Sequence, residues 1–196
     1  MSQHIEIEFK NLLTREEFFR LSTYFTFEPE DFRTQVNHYF DTPNFSLKSH
    51  GCALRVREKA GTFELTLKQP ANTGLLETNQ TISQEQFQAV MQTGTIPSGI
   101  VYSALASLIQ GSGEITYFGT LSTERAEKNY KDGLIVLDHS TYLNTEDFEI
   151  EYEVTDANLG QTVFKGLLQQ MHIPLRKTDN KIMRFYNQKL LELDSK

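Results

Sequence analysis

Two short segments carry acidic residues at a spacing that an extended chain turns into clusters: Glu6-Ile7-Glu8-Phe9-Lys10 and Glu149-Ile150-Glu151-Tyr152-Glu153. A β-strand sends successive side chains to opposite faces, so Glu6, Glu8 and Lys10 share one face, as do Glu149, Glu151 and Glu153. Carboxylates gathered in this way are ligands for a hard divalent cation such as Mg2+ or Mn2+. Taken singly, each segment also describes an ordinary strand whose charges face water.

The same period recurs along the chain with cations in place of acids. Within Ala53–Lys59, Arg55, Arg57 and Lys59 fall on one face and Leu54 and Val56 on the other. After Ala60-Gly61, Glu64, Thr66 and Lys68 take the polar side, and Thr123, Arg125, Glu127 and Asn129 share a face further on. In Leu134-Ile135-Val136-Leu137-Asp138 an aspartate ends an otherwise apolar run. Two like charges about 6 Å apart repel by roughly 3 kcal/mol even at an effective dielectric near 20. An internal lattice of ion pairs would relieve part of this, but buried ion pairs stabilise poorly, and segregated carboxylates would still lack a counter-ion. A divalent cation for the acids and a polyanion for the bases resolve both problems. Arg55 and Arg57 offer planar forks to phosphate and Lys68 a point charge. In-line phosphoryl transfer asks mainly for positioning and charge neutralisation, so no side-chain nucleophile is needed. Other chemistries fit less well: Cys52 lacks a Cys-x5-Arg spacing, the five histidines form no paired ligand motif, and no Walker A loop occurs.

These residues need strands to present them. The alternation predicts strands near 4–12, 34–42, 52–59, 62–69, 75–82, 115–130, 133–143 and 147–155. Helices are predicted after Thr14, with Glu17 in the capping-box position, after Ser83, from Tyr102 to Gln110, from Asn158 to Met171, and from Thr178. About eight largely antiparallel strands joined by tight turns suit a closed or nearly closed barrel flanked by helices, whose charged face then points inward. With 196 residues, 38% of them apolar, the chain suits a single domain over residues 1–196. A net charge of −7 argues against nonspecific binding to nucleic acid or anionic membrane. The absence of an apolar leader or membrane-length run, with one cysteine, makes a soluble cytoplasmic protein the expectation.

The ordered set Glu6-x-Glu8-x-Lys10, Tyr39-Phe40-Asp41-Thr42-Pro43, Leu54-Arg55-Val56-Arg57, Leu67-Lys68, Thr123-Glu124-Arg125, Leu137-Asp138, Glu149-Ile150-Glu151 and Asn180-Lys181-Ile182-x-Arg184 resembles the CYTH superfamily, the triphosphate tunnel metalloenzymes. Glu77-Thr78-Asn79-Gln80 and Arg176–Lys181 look like a small Gram-positive bacterial subgroup often labelled "putative adenylate cyclase". The family often has Ser where this chain has Asn180, and Arg near Leu75. The resemblance implies an α+β fold, an eight-stranded antiparallel β-barrel forming a triphosphate tunnel, flanked by α-helices. It implies metal ligation by Glu6, Glu8, Asp138, Glu149 and Glu151, with Mg2+ or Mn2+ as cofactor. It implies phosphate contacts from Lys10, Arg55, Arg57, Lys68, Arg125 and Lys181, and catalysis by the set Glu6, Glu8, Lys10, Glu149 and Glu151. Glu153, Lys177 and Arg184 read as facing water. Lys59 and Glu64 suit a rim ion pair and a substrate contact equally, and Tyr39 and Asp41 suit a structural role at the second strand. The implied activity is metal-dependent hydrolysis of a small-molecule triphosphate: inorganic triphosphate, thiamine triphosphate or a nucleoside triphosphate. The rivals are a class IV-type adenylyl cyclase and a non-catalytic polyphosphate or nucleotide-binding module. No adenine pocket can be read from the sequence, and monomer and homodimer both stay open.

Overall fold

The structure, a computed structural model, describes residues 2–109 and 114–194. Its strands are β1 (Ser2–Leu13), β2 (Arg33–Asp41), β3 (Ala53–Lys59), β4 (Thr62–Pro70), β5 (Leu75–Ile82), β6 (Thr116–Tyr130), β7 (Gly133–Tyr142) and β8 (Thr145–Val154). They close into a barrel in the order β1-β5-β4-β3-β2-β6-β7-β8. The helices are α1 (Arg15–Tyr24), α2 (Ser46–Ser49), α3 (Gln84–Thr93), α4 (Ile100–Leu108), α5 (Ala157–Gln170) and α6 (Lys181–Asp194), with a 3-10 turn at Pro29–Asp31. The α+β barrel flanked by helices that the alternation predicts is the fold found. No helix among the described residues is long and apolar enough to cross a membrane.

Contacts group the chain into two compact units, Met1–Ile5 with Gln35–Thr120, and Glu6–Thr34 with Leu121–Lys196. In the first, period-two alternation sends Leu54, Val56, Leu65 and Leu67 to one face, where they are fully buried against Val90 of α3 and Val101 and Leu105 of α4. Cys52 lies in this core. The opposite face carries Arg55, Arg57, Thr66, Lys68, Glu77 and Asn79. Register sets Arg55 beside Tyr39 and Thr66, Arg57 beside Asn37 and Glu64, and Lys68 beside Glu77. The β3–β4 turn uses left-handed backbone at Ala60 (φ 50°) and Gly61 (φ 75°), the conformation that joins two strands with two residues. The Asp41 carboxylate accepts backbone N–H bonds from Thr42 (2.7 Å), Leu47 (2.9 Å) and Lys48 (3.1 Å), which ties the end of β2 to α2.

The second unit buries Ile135, Leu137, Ile150 and Tyr152 against Phe18, Leu21 and Phe25 of α1 and Phe164, Leu167 and Leu168 of α5. Helix α5 comes so close that a Cβ on Gly160 would stand 2.6 Å from a Val154 methyl, which reserves this position for glycine. Thr14 and Glu17 form the expected capping box at α1. On the polar face, register aligns Lys10 with Glu151, Glu8 with Glu153, Asp138 with Glu149, and Arg125 with Asp138.

Two helix boundaries differ from the sequence reading. Helix α6 begins at Lys181 rather than Thr178, because the Thr178 hydroxyl is committed elsewhere, accepting from Leu12 N at 2.9 Å. The Asn180 side chain takes over at that end, its Oδ1 accepting from Met183 N at 3.0 Å. Helix α4 covers Ile100–Leu108 instead of Tyr102–Gln110, and Gln110 lies outside the described residues.

Glu17 of the capping box also receives the Arg176 guanidinium at 2.7 and 2.9 Å. Burial pushes its carboxyl up, but the Arg176 hydrogen bonds and the Thr14 N–H outweigh it and leave the pKa below the usual 4.5. A lowered folded pKa contributes stability that is present above the unfolded value and lost as pH falls through the folded one. Glu17→Gln is therefore expected to cost about 1–2 kcal/mol near neutral pH. Thermal melts from pH 7 downward should show the gap to wild type closing below about pH 4.5; a pH-independent gap would refute the assignment.

Candidate active site

The polar face of the second unit is a dense charge network built from β1, β6, β7, β8 and the first turn of α6. Asp138 and Glu149 are 0% exposed and Glu151 4%. Directly opposed like charges destabilise a strand pair, and Asp138 faces Glu149 across β7 and β8. Lys181 resolves this: its Nζ lies 2.7 Å from Asp138 and Glu149 and 2.5 Å from Glu151. Arg125 adds a fork to Asp138, Nε to Oδ1 at 2.7 Å and Nη2 to Oδ2 at 2.6 Å, and its Nη2 also reaches Glu151 at 2.7 Å. Arg184 completes the set, its Nη2 donating to Glu149 Oε2 at 2.8 Å and its Nε to Asp147 Oδ2 at 2.8 Å.

The titration of these groups follows from the pairing. Burial pushes the Asp138 and Glu151 carboxyls up, but for Asp138 the cations Arg125 and Lys181, and for Glu151 the cations Lys181, Arg125 and Lys10, outweigh it and hold both pKa values below the ordinary range. Burial likewise pulls Lys181 and Lys10 down, and their carboxylate neighbours more than restore them. The pairing thus favours the charged forms of Asp138, Glu151, Lys181 and Lys10.

The five carboxylates that the family resemblance groups as metal ligands fall here into two trios, with Glu153 as the sixth member. Asp138, Glu149 and Glu151 each place one oxygen within 4.8 Å of the others, and so do Glu6, Glu8 and Glu153. Lys10 pairs with Glu8. Glu153 joins Glu6 and Glu8 while its side chain stays one-third exposed to water. Its ion-pair partner, Arg125 Nη1, stands 4.0 Å away. Burial, with repulsion from Glu151, Glu6 and Glu8 outweighing Arg125, raises the Glu153 carboxyl to about 7. The donor chemistry of this second trio fits a hard divalent cation, since it consists of closely spaced carboxylate oxygens and one member is held back from ionising. The first trio meets its charge with Lys181, Arg125 and Arg184, so the segregation of acids from bases anticipated from sequence does not hold there.

In the first unit, Lys68 pairs with Glu77, and Arg55 Nη2 lies 3.9 Å from the same carboxylate. The two cations and an Asn79 hydrogen bond overcome burial and bring Glu77 to about 2. Arg55 Nε is buried without a hydrogen-bond partner, a state that costs about 1–3 kcal/mol and calls for an acceptor. Arg57 Nε donates to Asn37 at 3.2 Å. Glu77 and Arg184 were missed as members of the charged face. The signal for Glu77 was its parity with Asn79, and for Arg184 its position three residues after Lys181, on the same helix face. Lys59 and Lys177 are exposed, and Glu64 lies opposite Arg57 in register.

The CYTH domain model matches residues 4–186. The chain belongs to the CYTH family. A Bacillus subtilis (strain 168) CYTH relative named "Putative triphosphatase YjbK" is 51% identical over 189 residues, covering 96% of this chain and 98% of its own. A solved Bacillus halodurans structure described as a "putative adenylate cyclase" is 44% identical, covers 95% of this chain and 100% of its own, and superposes with a TM-score of 0.91. The Hippeastrum protein HpAC1, 22% identical over 93% of this chain and 96% of its own with a TM-score of 0.78, shares the fold. The strand that carries Glu6, Glu8 and Lys10, and the one that carries Glu149 and Glu151, therefore sit side by side in a CYTH barrel, with α6 supplying Lys181.

The two trios predict opposite responses of the metal-free protein. Glu153 has a raised folded pKa, so it removes stability as pH climbs from about 4.5 to about 7. Glu153→Gln should thus raise the stability at pH 8 by roughly 1–2 kcal/mol, a figure reduced for a side chain that is one-third exposed. Glu149→Gln leaves Arg184 and Lys181 short of a partner and should lower stability by about 3 kcal/mol. Melts in chelator at pH 8 test the pair; shifts of the same sign would remove the distinction.

Proposed function

We propose that this CYTH chain is a divalent-metal-dependent triphosphatase that releases orthophosphate from a small-molecule triphosphate, with inorganic triphosphate its simplest substrate. The observation that carries this reading is an oxygen-ligand trio, Glu6, Glu8 and Glu153, beside the Lys10 ammonium and the Arg125 guanidinium. The full-length 51% identity to a relative named as a triphosphatase supports it. Mg2+ or Mn2+ held by Glu6, Glu8 and Glu153, with Asp138, Glu149 and Glu151 as further ligands, would supply charge neutralisation at the phosphoryl oxygens. The chain's own residues do the rest. Arg55 and Arg57 present forks to phosphate oxygens, Lys68 and Lys10 act as point charges, and Arg125 contributes its Nη1 edge. Lys181 has all three N–H groups engaged by carboxylates, so it turns to phosphate only by releasing one of them. The other ion pairs, such as the Arg125 fork on Asp138, are in place before substrate arrives, so they can stabilise transition-state charge without reorganising.

The Bacillus halodurans relative's description favours a second reading, adenylyl cyclisation. Cyclisation requires the ribose 3′-hydroxyl to be held in line with the α-phosphorus, and so needs base and sugar contacts. The charged face supplies contacts for phosphate and metal, and hydrolysis of inorganic triphosphate needs nothing more.

Purified protein with Mg2+ or Mn2+ should convert inorganic triphosphate to orthophosphate and pyrophosphate at least as fast as it consumes ATP, and ATP should yield ADP. Arg55→Ala should weaken triphosphate binding by about 10- to 100-fold in KM. Chromatography showing cyclic AMP as the main product, with inorganic triphosphate inert, would select the cyclase reading instead.

A further inference from the structure

Arg184 lies on α6, one helical turn beyond Lys181, and is a cation whose donors are fully spent. A guanidinium has five N–H groups. Its Nε donates to Asp147 Oδ2 at 2.8 Å, its Nη2 to Asp147 Oδ1 at 3.1 Å and Glu149 Oε2 at 2.8 Å, and its Nη1 to the Asp179 carbonyl at 2.6 Å and Glu149 Oε1 at 3.4 Å. The side chain is 10% exposed. Asp147 in turn accepts from the Tyr142 hydroxyl at 2.8 Å, and it belongs to neither carboxylate trio. An arginine with no donor to spare has nothing to offer a phosphate. What it does is grip both oxygens of Glu149 while being braced from behind by Asp147.

We propose that Arg184 is a positioning residue for the hydrolytic site: the relay Tyr142–Asp147–Arg184 fixes the Glu149 carboxylate against α6. This rests on the triphosphatase reading above and assigns a role within it to three residues outside the phosphate and metal sets. Lys181 shares Glu149 with Arg184, so the brace also holds Glu149 in place when Lys181 shifts its ammonium toward an arriving phosphate. Arginine is needed because a lysine cannot span Asp147 and both Glu149 oxygens with one ammonium.

The test uses Arg184→Lys, Asp147→Asn and the double variant. Misplacing a catalytic carboxylate by a fraction of an ångström lowers turnover more than binding, so Arg184→Lys should lower kcat for inorganic triphosphate about tenfold or more and leave KM within about threefold. Asp147→Asn, which is isosteric and belongs to neither trio, should shift kcat in the same direction. The double variant should be no worse than Arg184→Lys alone, because both changes break one relay. In metal-free wild type, the Arg184 Nε–H proton should be protected from exchange by NMR, and Asp147→Asn should expose it. A rise in KM with kcat intact would make Arg184 a phosphate contact and overturn the proposal. So would wild-type kcat per folded molecule in Arg184→Lys, additive losses in the double variant, or an unprotected Nε–H. If wild type turns over no triphosphate, the activity reading fails, and the NMR protection and the non-additivity of the melting shifts still decide the relay.

Discussion

Asp138, Glu149 and Glu151 are carboxylates on neighbouring strands with almost no access to water, and they can be buried as anions only because cations meet them. Two such charges about 5 Å apart repel by roughly 3 kcal/mol at an effective dielectric near 20. Lys181 and Arg125 therefore do more than decorate the site. Lys181 is the first residue of α6, where the helix dipole disfavours a cation by about 0.3–1 kcal/mol. Three carboxylate contacts outweigh that, and they hold the helix start against β8. The docking of α6, the register of β7 on β8 and the orientation of Arg125 are consequences of a single charge balance, and removing one partner would leave a buried charge at a cost of about 3–5 kcal/mol.

The two trios use that balance differently. Around Lys181 the charges are closely matched, which makes a rigid frame. Around Glu153 they are not, and the carboxyl answers by holding its proton to about pH 7. An under-neutralised group is where binding a cation releases free energy, since the ion removes a repulsion that the protein leaves standing. The first unit presents the converse: Arg55 keeps a buried donor without an acceptor. One unit lacks positive charge at a defined place, and the other has a donor waiting for negative charge.

Much of this was legible in the sequence, for physical reasons. Period-two alternation fixes which side chains share a face, so Glu6, Glu8, Lys10, Arg55, Arg57, Lys68, Arg125, Glu149 and Glu151 were recognisable as a polar set before any coordinates, as was the barrel. The partners of each charge were not. Alternation gives the face of a strand but not its register, and register is what sets Glu8 beside Glu153 and Asp138 beside Glu149. Hence the implied metal set appeared as one group of five, and Glu153 was read as solvated. Arg184 escaped for a related reason. A charge on an amphipathic helix faces water by default, and only the placement of α6, which depends on Asn180 and not Thr178 marking its start, turns Arg184 inward. The short helix α2 and the 3-10 turn are below the length at which any periodicity shows.

The apolar residues on the charged face are part of the same design. Strand β7 contributes Leu134, Val136, Asp138 and Ser140 to that side, so a single carboxylate stands on it. Val136 is fully buried between Glu127 and Glu151 in register. A methyl-bearing neighbour offers Glu151 no hydrogen bond and admits no water beside it, which lowers the local dielectric and strengthens the attraction of Lys181 and Arg125. A polar residue there would give the carboxylate an alternative partner and loosen its choice of geometry. The fixed positions of Asp138 and Glu151 thus depend on what β7 withholds as well as on the cations that reach them, and a mostly apolar strand at the centre of a charged face is what keeps each ion pair from exchanging for another.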